Sequence, residues 1–180
     1  HRERQRVLLT GLLPDISTDP AIETATDSIE AGRSGTIVAP VGIRPPLLAA
    51  VASRAATPLV VLTATGRDAE SLTNALASWI PGVAMLPAWE TLPHERLSPQ
   101  VDTMARRIAV LRRLVHPIEG DESAGPLSVL VVPIRAFLQP IISGLADLEP
   151  VRVRTGDILD LTDVTNRLAE LGYERVDMVE

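Results

Sequence analysis

The run Pro58 to Thr63 (PLVVLT), followed by Arg67 to Ile80 (RDAESLTNALASWI), decides the fold. The first stretch is apolar without polar alternation. That is how a strand buried on both faces reads, as in a parallel sheet. The second is an amphipathic helix that turns Ala69, Leu72, Ala75, Leu76 and Trp79 inward. Pro81-Gly82 ends it, and Val83 to Leu86 reads as the next strand.

Upstream, Gly35 to Ala39 (GTIVA) reads as an earlier, β-branched strand. Pro40 to Pro46 is a turn, and Pro46 to Ala56 a helix with Leu47, Leu48 and Val51 inward. Before it, Asp19-Pro20 starts a helix, with Asp as the cap and Pro at the first helical position. Ile22, Ala25 and Ile29 share its apolar face, and Gly32 closes it. Val7 to Leu13 is apolar and of open type. Downstream, Ser98-Pro99 restarts a helix that runs to about His116. Val101, Met104, Ile108, Leu111 and Val115 form its stripe, with Arg106, Arg107, Arg112 and Arg113 mostly off it. Pro117 to Pro126 is an acidic, flexible loop, Ser128 to Val132 a strand, and Pro133 to Leu138 a helical turn. The alternation implies an α/β domain over residues 1–145, a parallel sheet with helices on both faces.

After Glu149-Pro150 the texture changes. Val151 to Arg154 alternates like a half-exposed strand, Asp160 to Leu171 reads as a helix stopped by Gly172, and Tyr173 to Val179 alternates again. Residues 146–180 are therefore expected to open a small α+β domain that continues beyond this chain.

Composition excludes several chemistries. Of 180 residues, 46% are hydrophobic, enough for a core, and the net charge is −6, no electrostatic footprint for nucleic acid. Cysteine is absent, so disulfides and thiolate metal sites are ruled out, which fits a cytoplasmic setting. No apolar run approaches a membrane span. All seventeen basic residues are arginine. No Walker A lysine or Schiff-base lysine can therefore come from this chain.

Four places invite a functional reading. VAPVGIRPPL, with Pro40, Gly42 and Arg44, sits where a phosphate-binding loop would be. It has one glycine, and Pro40, Pro45 and Pro46 remove three N–H donors, so competent ATP binding is not expected. Leu86 to Asp102 (LPAWETLPHERLSPQVD) holds Trp89, Glu90, Pro93 and His94 in a Pro-stiffened connector. The favoured reading is a packed loop whose indole covers apolar surface. The arginine helix, Arg106 to Arg113, could track phosphates, but a solvated face is favoured in an acidic chain. In LGYERVDMVE, Tyr173, Arg175 and Asp177 fall on one strand face, and Arg175 is open to an interfacial ion pair or to an ordinary surface role. No metal site is expected.

LPAWETLPHERLSP, with DTMARRIAVLRRL after it, closely resembles the bacterial transcription-repair-coupling factors (the Mfd family) near their start, a module similar to the first domain of the excision-repair protein UvrB. The resemblance spans about Thr36 to Glu180. It implies a RecA-like, UvrB-domain-1-like fold with a degenerate phosphate loop, where UvrB has a working one. It also implies that the second domain docks UvrA and that Arg175, with Tyr173 and Asp177, belongs to that surface. The fragment itself is then a scaffold without catalysis or cofactor. In the family the longer protein displaces RNA polymerase stalled at damaged DNA by ATP- and Mg-driven translocation on duplex DNA, using other domains. Its C-terminal region masks the UvrA surface in an intramolecular contact. The rival expectations are a nucleotide-binding UvrB-type repair protein and a DNA-binding module built on the arginine helix.

Overall fold

The computed structural model describes residues 8–89, 101–151, 153 and 155–170. The chain divides into two compact units, His1–Ala146 and Asp147–Glu180.

The first unit is built on a parallel sheet of three strands, β1 (Leu59–Thr63), β2 (Val83–Met85) and β3 (Val129–Pro133), in the order β1-β3-β2. Leu59 stands beside Val129 on one side of β3 and Val83 beside Val129 on the other. The protein is thus an α/β protein, as the unbroken apolar runs imply. Val129 and Val131 face one layer and Leu130 and Val132 the other, so β3 is buried on both faces.

The layer under Val129 and Val131 holds α1 (Leu13–Ser17), α3 (Arg44–Arg54) and α4 (Gly66–Leu76), through Leu13, Ala49, Ala52, Ala69 and Leu76. Small residues on α3 let its backbone approach closely. α4 starts where the Thr65 hydroxyl accepts from the Asp68 N–H at 3.1 Å. α2 (Pro20–Glu30) packs on α3, and Asp19 caps it by accepting from the Ala21 and Ile22 N–H groups. Its buried residue is Thr26, whose hydroxyl donates to the Ile22 carbonyl, whereas Ile29 of the expected apolar face is exposed. The opposite layer holds α5 (Val101–Val115) and α6 (Ile134–Phe137), through Val110, Leu111 and Ala136.

One expected strand is absent. Residues 33–40 form neither strand nor helix, and Ile37 and Val38 are exposed. β-branched composition suits a strand, but a strand exists only where a neighbour pairs with it, and no described residue does so. The stripe of α5 is also rotated from expectation. Thr103, Arg107, Val110 and Leu111 are buried, and Val115 is exposed in the last turn.

Gly82 joins α4 to β2 at a φ of 70°, the left-handed region. Its carbonyl accepts from the Ser128 and Val129 N–H groups, which ties the start of β2 to that of β3. A β-carbon there would lie 2.9 Å from the Pro126 carbonyl oxygen.

In the second unit, α7 (Leu161–Glu170) starts at Asp160, whose carboxylate accepts from the Thr162 and Asp163 N–H groups. These bonds hold the Asp160 carboxyl below its usual range. The strand expected over Val151–Arg154 is not formed at Val151 and Val153, which lie in irregular backbone. Arg152, Arg154 and the expected strand from Tyr173 lie outside the described residues.

Candidate functional site

The turn before α3 comes first because a nucleotide would need it. Pro40 opens a short 3-10 turn, Val41–Ile43, that runs directly into α3. An anion site at a helix N-terminus uses the first N–H groups of the helix, which have no intrahelical acceptor. Here the Ile43 N–H donates to the Pro40 carbonyl at 3.0 Å, and the Arg44 N–H donates to that of Val41. Pro45 and Pro46 carry no N–H at all. From Ile43 to Pro46, two donors are therefore used and two are missing. Gly42 is exposed, its φ is not positive, and a β-carbon on it would meet nothing within 4 Å. The Arg44 side chain is exposed.

The second place is the exit of β2. The Leu86 N–H donates to the Val131 carbonyl at 3.0 Å, continuing the ladder one residue past β2. The chain then turns over α5. Trp89 is held from two sides: its N–H donates to the Gln139 side-chain oxygen at 2.7 Å, and the Gln139 amide nitrogen donates to its carbonyl at 3.3 Å. From below, the Arg107 guanidinium donates to the Pro87 carbonyl at 2.6 Å, and its carbon lies 4.6 Å from the centre of the Trp89 ring. The indole thus covers a cation where apolar surface was expected. Arg107 is 0% exposed, and its Nε and Nη2 have no hydrogen-bond partner among the described residues. Burial pulls its pKa below the ordinary value, because the charged form loses hydration. Glu90, Pro93 and His94 lie outside the described residues.

The remaining arginines of α5 do not form one cationic face. Arg113 donates to the Gly125 carbonyl at 2.8 Å, and Arg112 reaches that of Ala146 at 3.4 Å. Arg106 stays at the surface, paired with Asp102 at 2.7 Å. Tethering to backbone carbonyls, together with the burial of Arg107, replaces the solvated row that the sequence suggested. Asp121 holds the loop that follows, accepting from the Ser123 and Ala124 N–H groups.

A shallow open pocket of about 200 Å³ lies between α4 and α5, lined by Glu70, Thr73, Asn74, Met85, Pro87 and Arg106. It is smaller than the roughly 300–1,000 Å³ of small-molecule sites. Among the described residues no three His, Asp or Glu side chains converge as a metal site, and no helix is long and apolar enough to cross a membrane. Tyr173, Arg175 and Asp177 lie outside the described residues.

Comparison with known proteins settles the kinship. Over 145 residues, 80% of the chain, it is 47% identical to the transcription-repair-coupling factors of Mycobacterium tuberculosis and Mycobacterium bovis. The chain is homologous to a segment of the transcription-repair-coupling factors. That of Escherichia coli matches at 27% identity over 135 residues, 74% of the chain. No family model matches. The aligned segment spans 12% of the length of the mycobacterial proteins and 11% of the E. coli one, so the chain matches only a small part of the length of these relatives.

Sequence reasoning found Trp89 but missed its two holders. Gln139 lies fifty positions on in the sequence, with no motif around it, and only the packing of the segment after α6 brings it back. Arg107 carried a weak signal. With Thr103, Val110 and Leu111 it keeps helical spacing, but reading charge as exposure assigns it to the surface.

Proposed function

We propose that this chain is a non-catalytic, UvrB-like scaffold segment of a transcription-repair-coupling factor, one that helps bring UvrA to RNA polymerase stalled at DNA lesions. The observation that carries this reading is the 47% identity over 80% of the chain to proteins of that name. Polymerase displacement, ATP and Mg use, and grip on duplex DNA would reside in other parts of the protein, working in the cytoplasm. The α3 turn supports a scaffold over a nucleotide site, because the Ile43 and Arg44 N–H groups are used within the turn and Pro45 and Pro46 have none. The arginines of α5 support it over a DNA-binding face, because Arg107 and Arg113 are committed to backbone carbonyls.

In this reading Tyr173, Arg175 and Asp177 contribute to the UvrA surface, which contact with the C-terminal region of the longer protein would mask. The test is capture of UvrA by a chain extended through the second domain, wild type against Arg175→Ala. Loss of an interfacial arginine pair costs about 2–5 kcal/mol, enough to abolish capture. Capture that survives the substitution removes Arg175 from the surface, and a wild type that never captures UvrA ends the recruitment reading.

A further inference from the structure

Among the described residues of α5, two are both polar and buried: Thr103 at 7% exposure and Arg107 at 0%. They stand one turn apart on one face of the helix. Long helical side chains lean toward the N-terminus, so Arg107 reaches back over that turn. A guanidinium is always charged in a protein, and burying it without a counter-charge is strongly unfavourable. Among the described residues no carboxylate pairs with it. Asp102, on the same helix, is taken by Arg106 at 2.7 Å.

The guanidinium is partly engaged. Nη1 donates to the Pro87 carbonyl at 2.6 Å, and the Trp89 ring covers one face of the plane. The edge made by Nε and Nη2 has no acceptor among the described residues. That edge is the side-on fork by which arginine meets both oxygens of one anion in two parallel bonds. Two donors match a carboxylate, which has two oxygens. A phosphate would bring further charged oxygens into a place that hides them from water. A backbone carbonyl would satisfy a donor and leave the charge uncompensated.

We propose that the Nε–Nη2 edge of Arg107 is a carboxylate receptor. One carboxylate seats side-on against it, and the ion pair holds the chain from Pro87 to Trp89 over α5. The carboxylate is an acidic side chain of this chain or a small organic acid in solution; the chemistry is shared and the test separates the two. Gln139 clamps the Trp89 backbone from the other side, at 2.7 and 3.3 Å, so the receptor acts through Trp89 on the segment after α6. This inference is independent of UvrA recruitment, since it concerns the first unit alone.

The references for a test lie in the same chain. Arg54 donates from Nε to the Glu30 carboxylate at 3.0 Å, and Arg113 from Nε to the Gly125 carbonyl at 2.8 Å. NMR coupling across a hydrogen bond identifies the acceptor's carbon from each Nε. In the isotope-labelled 180-residue chain, in buffer free of organic acids, Arg54 should report a side-chain carboxylate carbon and Arg113 a backbone carbonyl carbon. Arg107 should report a side-chain carboxylate carbon, and its Nε–H should exchange roughly 10-fold or more slowly than that of exposed Arg106. Such a signal makes an acidic side chain of this chain the source. A signal that appears only on adding labelled acetate, and saturates, makes a free acid the source. A backbone carbonyl carbon at Arg107 overturns the proposal, as does the absence of any carboxylate signal with and without acetate. Inorganic phosphate that shifts the Arg107 Nε–H at a lower concentration than acetate overturns it too. These readings need no variant. Arg107→Lys tests the holding role, because it keeps the charge and removes the two-donor edge. The Gln139 side-chain amide signals should then move toward those of a free side chain, and unchanged signals would show that the receptor does not hold Trp89.

Discussion

β3 and β1 are written in nearly the same letters, VLVVP and LVVLT, and lie side by side in register. All five residues of β3 are buried, whereas Val60 and Leu62 of β1 are half exposed. The letters are equal because both strands suit a parallel sheet. The environments differ because β3 has a strand on each side and a helical layer on each face, while β1 has one neighbour among the described residues and one half-buried face. The contrast teaches that apolar composition records what a strand can tolerate, and that its neighbours decide what it experiences.

The sharpest way to break this contrast is a charge on each strand. Val131→Asp, at the middle of β3, should cost about 4 kcal/mol or more and prevent folding, since a buried carboxylate finds no partner there. Val60→Lys in the 180-residue chain should stay within about 0.5 kcal/mol, as at ordinary surface sites. Urea unfolding of both variants checks this. Equal damage would mean that β1 is already covered.

The arginines of α5 repeat the comparison with smaller stakes. Arg107→Ala should cost about 2–3 kcal/mol, because it deletes a charge-assisted bond to the Pro87 carbonyl and the cation under Trp89. The fluorescence of Trp89 should shift to the red as water reaches the ring. Arg106→Ala, which breaks only an exposed pair with Asp102, should change stability by about 0.5 kcal/mol or less.

Glycines give the mildest pair. Gly82→Ala combines a left-handed backbone with a clash against Pro126 and Ser128 and should cost about 1–3 kcal/mol. Gly42→Ala has open space and ordinary backbone, so thermal unfolding should show no loss. A clear loss at Gly42 would mean that the turn before α3 is held more tightly than its contacts suggest.

Much of the fold was legible because its signals are local. The Asp19 cap, the strands at Leu59–Thr63, Val83–Met85 and Val129–Pro133, and the helices between them follow from caps, periodicity and Pro-Gly stops. Gly35–Ala39 was misread for a nonlocal reason. Its β-branched residues satisfy every local criterion for a strand, and no partner lies beside it among the described residues. The site was less legible. Trp89 stood out by rarity, but Gln139 and Arg107 reach it from distant segments, and a guanidinium under an indole has no signature in spacing.

By itself the sequence determined the parallel α/β class, the absence of lysine and cysteine chemistry, and the loss of N–H donors at Pro45 and Pro46, because each depends only on residue identity or on local backbone restriction. Only the tertiary structure decided the strand order β1-β3-β2, the burial of Arg107 beneath Trp89, and the half exposure of Val60 and Leu62. These depend on which distant segments become neighbours. Burial and pairing belong to the neighbourhood a residue occupies in the folded chain.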